Sequence, residues 1–555
     1  MTTRKMTGRA AFLQLLLDEG VTHMFGNPGT TELAIMEAVS QFPEMNYVLG
    51  LQESSVVSMA DGFARSSGKL VACNLHCTPG LGHAMGAIYT AKFSGSPLII
   101  TAGQYELGYG LQEPLLYEPL VPIAQPLVKW AVEVTRVEDL PRIIRRAAKI
   151  AMTAPTGPVF ISLPGSILDD EAELEFGKPT RINSATRPTD QALQQLAERL
   201  MAAANPVIIA GRELASNDAF AEACELAELL GAAVYQEPVP YNARYPATHL
   251  ANMGDLTRDQ KKVRKTLEQF DLLICLGADL LRMSPYSPVD PMPDGMPVVH
   301  LTEREWELGK NYPTDYAIRA DVKETLRALL PLLRMRSVSY QEQAAQRLRA
   351  LAPGNWNARR EIARQEVGTF AQSEPIDQRY LIMRLIDALP DNTIVVDETL
   401  TAASAISTFL PVQDPNGYYG LASGGLGFGL PGAVGVSLAH PGRPVVAIIG
   451  DGSAMYGIQA LWTAAHLKLP ITYVIVNNRG YRVIKERLIS SRGTDRFVAM
   501  DINDPAIDYA AVAQGMGMQS ACITDPADID LVLRQALASG VPNLVEVIVA
   551  NGFGQ

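Results

Sequence analysis

Two oxygen-bearing side chains, Asp451 and Asn478, bracket one strand, helix, strand pattern, and their types suit a hard cation. An apolar β-branched run, Val445 to Ile449, breaks at Gly450-Asp451-Gly452. A helical stretch to Leu467 then sets Ile458, Leu461, Trp462 and Ala465 on one face, and Pro470 precedes a second apolar run, Ile471 to Val476. A parallel crossover of this kind brings both strand ends to one edge of a sheet, so Asp451 and Asn477-Asn478 emerge side by side. A carboxylate, an amide oxygen and the Gly480 carbonyl are ligands for Mg²⁺ or Ca²⁺, with positions left for diphosphate oxygens and water. Gly450 and Gly452 permit a close turn, and Ser453 with the amides of the new helix can hold a phosphate. The stretch reads as an anchor for a metal and a diphosphate. Two ordinary turns at buried strand ends would use the same dipeptides, Asp-Gly and Asn-Asn.

The elements that must position such a site recur along the chain. At 555 residues it exceeds one hydrophobic core, and ~100 to 200 residues per domain suggests three to five domains. From Thr7, helical runs alternate with short strands at Val21 to Phe25, Tyr47 to Leu51, Leu70 to Leu75 and Leu98 to Ala102, the pitch of a doubly wound parallel sheet. Thr30, Glu53, His76 and Gln104 all fall at the carboxyl edge of those strands. The pattern weakens into an acidic, proline-containing linker around Pro164 to Pro188, then restarts through Pro206 to Ala210, Leu272 to Gly277 and Pro297 to Leu301. A charged, helix-prone connection, Ser337 to Glu366, leads to a helix at Gln378 to Leu389 and a strand at Thr393 to Val396. The fold class is α/β, three doubly wound parallel-sheet domains over 1–180, 190–335 and 365–555, the last holding Asp451 and Asn478.

Composition excludes several partners. With 47% apolar residues, no uninterrupted apolar span of about 18 residues and no apolar run after Met-Thr-Thr-Arg-Lys, neither membrane insertion nor export is indicated, and the cytoplasm is the expected compartment. Five scattered cysteines suggest neither a disulfide frame nor a zinc site, and a net charge of −12 speaks against nucleic acid. Glu53 ends an apolar strand and opens an apolar helix, where a poorly solvated carboxyl could pass a proton to a buried heterocycle; a first-turn carboxylate answering the helix dipole would sit there too.

FGNPGTTEL, LQESSVVSMADGFAR, NLHCTPGLGHAMGA, SPLIITAGQ, LVKW, SGGLGFGLPGAVG and GDGSAMYGIQALWTAAH together resemble the thiamine diphosphate-dependent decarboxylases and carboligases, in particular the benzoylformate decarboxylase type. The resemblance runs through all three domains and implies pyrimidine-binding, middle and diphosphate-binding domains. It also implies a homodimer or homotetramer with each cofactor site between subunits. It assigns Glu53 to the cofactor's aminopyrimidine, Asp451, Asn478 and Gly480 to the metal, and Gly450, Gly452, Ser453 and Thr401 to the diphosphate. Gly425 and Leu426 fall where an apolar residue holds the cofactor bent, and Tyr481 lies beside the metal loop. On the substrate side it places His76 as a proton relay, Thr30 at a carboxylate-binding serine position and Gln112 at a glutamine of the acetolactate synthase group.

The implied reaction is loss of carbon dioxide from a small 2-oxo acid, followed by release of an aldehyde or capture by an acceptor aldehyde to give a 2-hydroxy ketone. A carboligase of the acetolactate synthase kind, or a 2-hydroxy ketone or acyl lyase, is the alternative; a cofactor-binding paralogue without catalysis is the reading from another class. Four positions depart from the aromatic-substrate pattern. His83 replaces an asparagine, Ser284 a histidine, and Gly420 and Arg487 aromatic residues, so the pocket is expected to be wider and more polar. Arg487 reads either as a clamp for an anionic substrate or as a solvated charge. Ala210-Gly211-Arg212 is too weak a signal for a second nucleotide in the middle domain.

Overall fold

The alternating apolar and helical runs fold into parallel sheets flanked by helices, the arrangement expected from their pitch. The computed structural model describes residues 2–553 except Pro285 and Arg336. The chain divides into two units: Met1–Ile182 with Pro390–Thr401 and Leu421–Gln555, and Asn183–Leu389 with Ala402–Gly420.

In the first unit the N-terminal sheet runs Asn46–Leu49, His23–Gly26, Val71–Leu75, Leu98–Gln104, Val159–Pro164, Ala131–Glu133 from edge to edge, with parallel registers. Every residue of Val71–Leu75, Leu98–Gln104 and Val159–Pro164 is buried, as in a sheet covered on both faces. After His23–Gly26 the chain first adds a strand on one side and then on the other. A crevice therefore opens between the carboxyl ends of His23–Gly26 and Val71–Leu75, and the loop 27–32 and His76 lie there.

A second sheet of this unit orders Ile394–Glu398, Val445–Gly450, Ile471–Asn477, Asn543–Ile548 and Gln519–Ile523, again parallel. The two sheets are joined through the helices Glu53–Ser67 and Gly429–Ala439. A Cβ added at Gly435 would run into the Met59 carbonyl, so only glycine lets these backbones approach so closely. Thr463 Oγ1 adds a bond to the Leu49 carbonyl at 2.9 Å.

The second unit carries a parallel sheet ordered Asn252–Asp255, Ala233–Gln236, Pro206–Ala210, Leu272–Leu276, Val298–Thr302, Tyr316–Arg319. Its own switch point, beyond Pro206–Ala210 and Leu272–Leu276, is closed by protein. Gly211 lies against the backbone of Ala278, and Arg304, its side chain 11% exposed, pairs with Glu213 at 2.7 Å and with Asp279. The helices Val338–Leu351, Trp356–Gly368 and Gln378–Ala388 belong to this unit.

Two expectations are corrected. The supposed linker contains a helix, Gly165–Asp169, and a strand, Glu171–Phe176, paired antiparallel with Thr2–Thr7. Its acidic composition hid a true alternation: Leu174 and Phe176 are buried while Glu171, Glu173 and Glu175 face water. The single helix expected up to Leu467 is broken into Asp451–Ala454 and Ala460–His466. The break brings Gly457 beneath Pro431 and the Gly427 carbonyl, so packing against the glycine loop overrides helical continuity. Among the described residues no helix is long and apolar enough to cross a membrane.

Candidate active site

Gly450 pairs with Val476 across neighbouring strands, and this register places Asp451 beside the turn that follows Asn477. Asp451 is buried; its Oδ2 accepts the Gly480 amide at 2.9 Å and its carbonyl accepts Tyr509 Oη at 2.8 Å. Burial pushes the carboxyl up to about 6, against the pull of the Gly452 and Gly480 amides. The two asparagines beyond the second strand differ in kind. Asn477 is fully engaged, donating to Glu546 Oε1 at 2.6 Å and accepting the Arg479 amide at 2.9 Å. Asn478 is buried and its Oδ1 has no hydrogen-bond partner. A buried acceptor left unpaired is costly, and one at the same sheet edge as a buried carboxylate suits a cation. The donor set, a carboxylate and an amide oxygen with the Gly480 carbonyl nearby, fits a hard divalent ion.

The expected diphosphate residues gather around this pair. Gly450 and Ser453 are buried, Gly450 faces the Thr399 carbonyl, and the half-buried Thr401 follows two residues later. The Tyr481 ring lies against Gly452 and is itself 37% exposed.

Glu398, which the sequence analysis did not single out, ties the glycine loop to this edge. It ends the strand Ile394–Glu398, is buried, and accepts the Gly427 amide at 2.7 Å and the Gly429 amide. Burial pushes its carboxyl up to about 7, the loop amides opposing. Gly427 takes φ +104, open to glycine alone, and Ser423 Oγ accepts the Gly425 amide at 3.0 Å, so Gly425 and the half-buried Leu426 are held on both sides. A carboxylate ending an apolar strand is the same signal that marked Glu53.

The N-terminal sheet assembles the other group. Glu53 opens the helix Glu53–Ser67 and is buried; Oε1 accepts Asn27 Nδ2 and Oε2 meets His83 Nδ1, both at 3.1 Å. His76, before the helix Cys77–Ser94, contacts Glu32 Oε2 through Nδ1 at 2.8 Å. Glu32 is fully buried and also accepts the Gly29 amide at 2.9 Å, the Gly103 amide at 3.0 Å and Thr31 Oγ1 at 2.7 Å. Glu32 stood in plain view within FGNPGTTEL, but its role follows only from the fold bringing strand ends together.

Thr30 and Gln112 are exposed, each on a short 3-10 turn, and Arg487 is exposed on the helix Arg482–Arg492. Ser284 is exposed in the second unit. Gly420 belongs to that unit too, and its backbone lies against Pro240 so closely that no side chain fits. A packing contact thus accounts for that glycine without any widening of a pocket.

Three family models match in order: "Thiamine pyrophosphate enzyme, N-terminal TPP binding domain" over 6–115, its central domain over 193–329 and its C-terminal TPP binding domain over 401–547. The chain is 34% identical over 549 residues to a benzoylformate decarboxylase of Pseudomonas aeruginosa, covering 98% of both chains. It is 27% identical to the acetolactate synthase isozyme 3 large subunit of Escherichia coli, over 96% of this chain and 92% of that one. The solved structure of a thiamine diphosphate-dependent 4-hydroxybenzoylformate decarboxylase of Rhodococcus jostii RHA1 superimposes with a TM-score of 0.87 at 32% identity, covering 98% of this chain and 99% of that one. These matches assign the chain to the thiamine pyrophosphate enzyme family.

Proposed function

We propose that the protein is a carboxy-lyase that decarboxylates a small 2-oxo acid with thiamine diphosphate held through Mg²⁺, and that it can join the product to an acceptor aldehyde as a 2-hydroxy ketone. The observation that carries this reading is the unpaired, buried Asn478 Oδ1 at the same sheet edge as the buried Asp451 carboxyl. When bound, the cofactor supplies a carbon nucleophile for the ketone and a sink for the electron pair left by carbon dioxide. Asp451, Asn478 and the Gly480 carbonyl hold the ion; Ca²⁺ fits the same oxygens. Gly450, Gly452, Ser453 and Thr401 receive the diphosphate, with Tyr481 beside them. Gly425 and Leu426, clamped by Glu398, shape the cofactor's seat. Glu53 exchanges a proton with its pyrimidine ring.

On the substrate side, the Glu32 contact occupies His76 Nδ1 and leaves Nε2 as the nitrogen that gives or takes a proton. Thr30 and Gln112 are assigned to the substrate carboxylate and its surroundings. We divide the chain into pyrimidine-binding (1–180), middle (190–335) and diphosphate-binding (365–555) domains and assign sites to the interfaces of a homodimer or homotetramer. Exposed apolar side chains in the first unit, Leu111, Leu115 and Val498 among them, support assembly. Five free cysteines suit the reducing cytoplasm. The acetolactate synthase relative and Gln112 favour a second reading in which carboligation dominates.

A screen of 2-oxo acids for carbon dioxide release, with and without acceptor aldehydes, tests both readings. Release without acceptor supports the decarboxylase; release only with acceptor, alongside a hydroxy ketone, supports the carboligase. Absence of both, in protein that has taken up thiamine diphosphate, contradicts them.

A further inference from the structure

Among the departures from the family pattern, only His83 touches the proton-transfer group itself. Its Nδ1 lies 3.1 Å from Glu53 Oε2, on the helix Cys77–Ser94 that packs beside Glu53–Ser67. The Glu53 side chain is 10% exposed and that of His83 61% exposed. The other carboxylate oxygen is taken by Asn27 Nδ2, a group that cannot titrate. A Cβ added at Gly80, a turn before His83, would come to van der Waals distance of the Glu53 side chain. The other ionisable groups of these two helices and the loop before them are engaged elsewhere: His76 with Glu32, Cys77 with Thr31 Oγ1 at 3.2 Å, its thiol pushed up by burial, Asp61 with Arg65, Lys92 with the Pro126 carbonyl and Tyr89 with the Phe93 ring. Among the described residues Glu53 therefore has a single titratable contact, and in the isolated chain that contact reaches solvent.

We propose that His83 is a positioning residue that shuttles protons between solvent and Glu53, a role resting on the reading of Glu53 above. The imidazolium Nδ1–H bond breaks as a proton passes to Glu53 Oε2, and the electron pair stays on Nδ1. The neutral ring then takes a proton from water or a buffer acid, which its exposure allows. Run backwards, the same path drains a proton from Glu53. An amide at position 83 could keep the hydrogen bond but not carry the proton, because imidazole exchanges protons near neutral pH and an amide does not. With His83 in place, no buffer acid has to reach the buried carboxyl for Glu53 to be reloaded.

The test measures hydrogen exchange at C2 of bound thiamine diphosphate by quenched-flow NMR, from about pH 5 to about pH 8, together with cofactor dissociation constants by fluorescence quenching. His83→Asn is expected to slow exchange at neutral pH by roughly 10²-fold, the low end for a positioned proton-transfer group, and to make the rate rise with buffer concentration, while cofactor affinity stays unchanged. His83→Gly is expected to lose rate equally and to regain it with added imidazole. If Glu53→Gln abolishes exchange while His83→Asn keeps the wild-type rate and pH profile, the shuttle is overturned and the reading of Glu53 stands. If Glu53→Gln exchanges like wild type, that reading falls and the shuttle with it. Slowing at His83 that tracks weakened cofactor binding and ignores imidazole marks a structural role and also overturns the proposal.

Discussion

At the scale of single residues, the site is a set of buried polar atoms whose partners decide their use. Asn477 and Asn478 are chemically identical neighbours, yet one is spent on Glu546 and Arg479 while the other keeps a buried oxygen unpaired. Sequence could name the pair; only packing could separate them. Glu32 shows the same dependence: four donors from three stretches of chain converge on one fully buried carboxyl. Glu32→Ala leaves those donors without an acceptor, and each orphaned buried group costs about 1 to 3 kcal/mol, offset where water enters. The expected loss is on the order of 3 kcal/mol in urea denaturation, with decarboxylation falling as His76 loses its orientation. A change below about 0.5 kcal/mol, the level of an ordinary surface substitution, would refute the role of Glu32 as the hub.

Among the elements, strands and their carboxyl ends were legible because apolar β-branched runs and the residues that break them are local signals. Val445 to Ile449 and Ile471 to Val476 read correctly, and with them the edge bearing Asp451. Glu171–Phe176 was not legible, because its pairing with Thr2–Thr7 is non-local and its exposed face is almost wholly acidic. The glycine loop was visible as a motif, but not the Glu398 carboxyl that holds it. That carboxyl is raised to about 7 in the fold, above its ordinary value of 4.5. The folded state thus keeps a proton that the unfolded chain releases between those values. Its contribution is full below about pH 4.5, is lost as pH rises to about 7 and is flat beyond, a span worth about 3 kcal/mol. Melting temperatures of the cofactor-free protein should therefore fall across this window more steeply in wild type than in Glu398→Gln. Parallel curves would show that Glu398 does not titrate there.

For the whole molecule, the decisive feature is that Glu53 and Asp451 open helices at the carboxyl edges of two different sheets of one unit. In the proposed assembly each cofactor takes its proton-transfer carboxyl from one subunit and its metal from another. Glu53→Gln and Asp451→Ala, each inactive alone, should recover part of the activity when mixed under subunit exchange, because some mixed dimers hold one intact site. No recovery after exchange has been demonstrated by mass spectrometry would place both halves within one chain. In the proposed site a divalent ion between Asp451 and Asn478 Oδ1 holds the diphosphate. Equilibrium dialysis of thiamine diphosphate in Mg²⁺ tests it most directly. The wild type is expected to retain the cofactor, to lose it when the Mg²⁺ is chelated, and Asp451→Ala to retain none, because there anionic diphosphate lacks its cation. Equal retention by both proteins would contradict it.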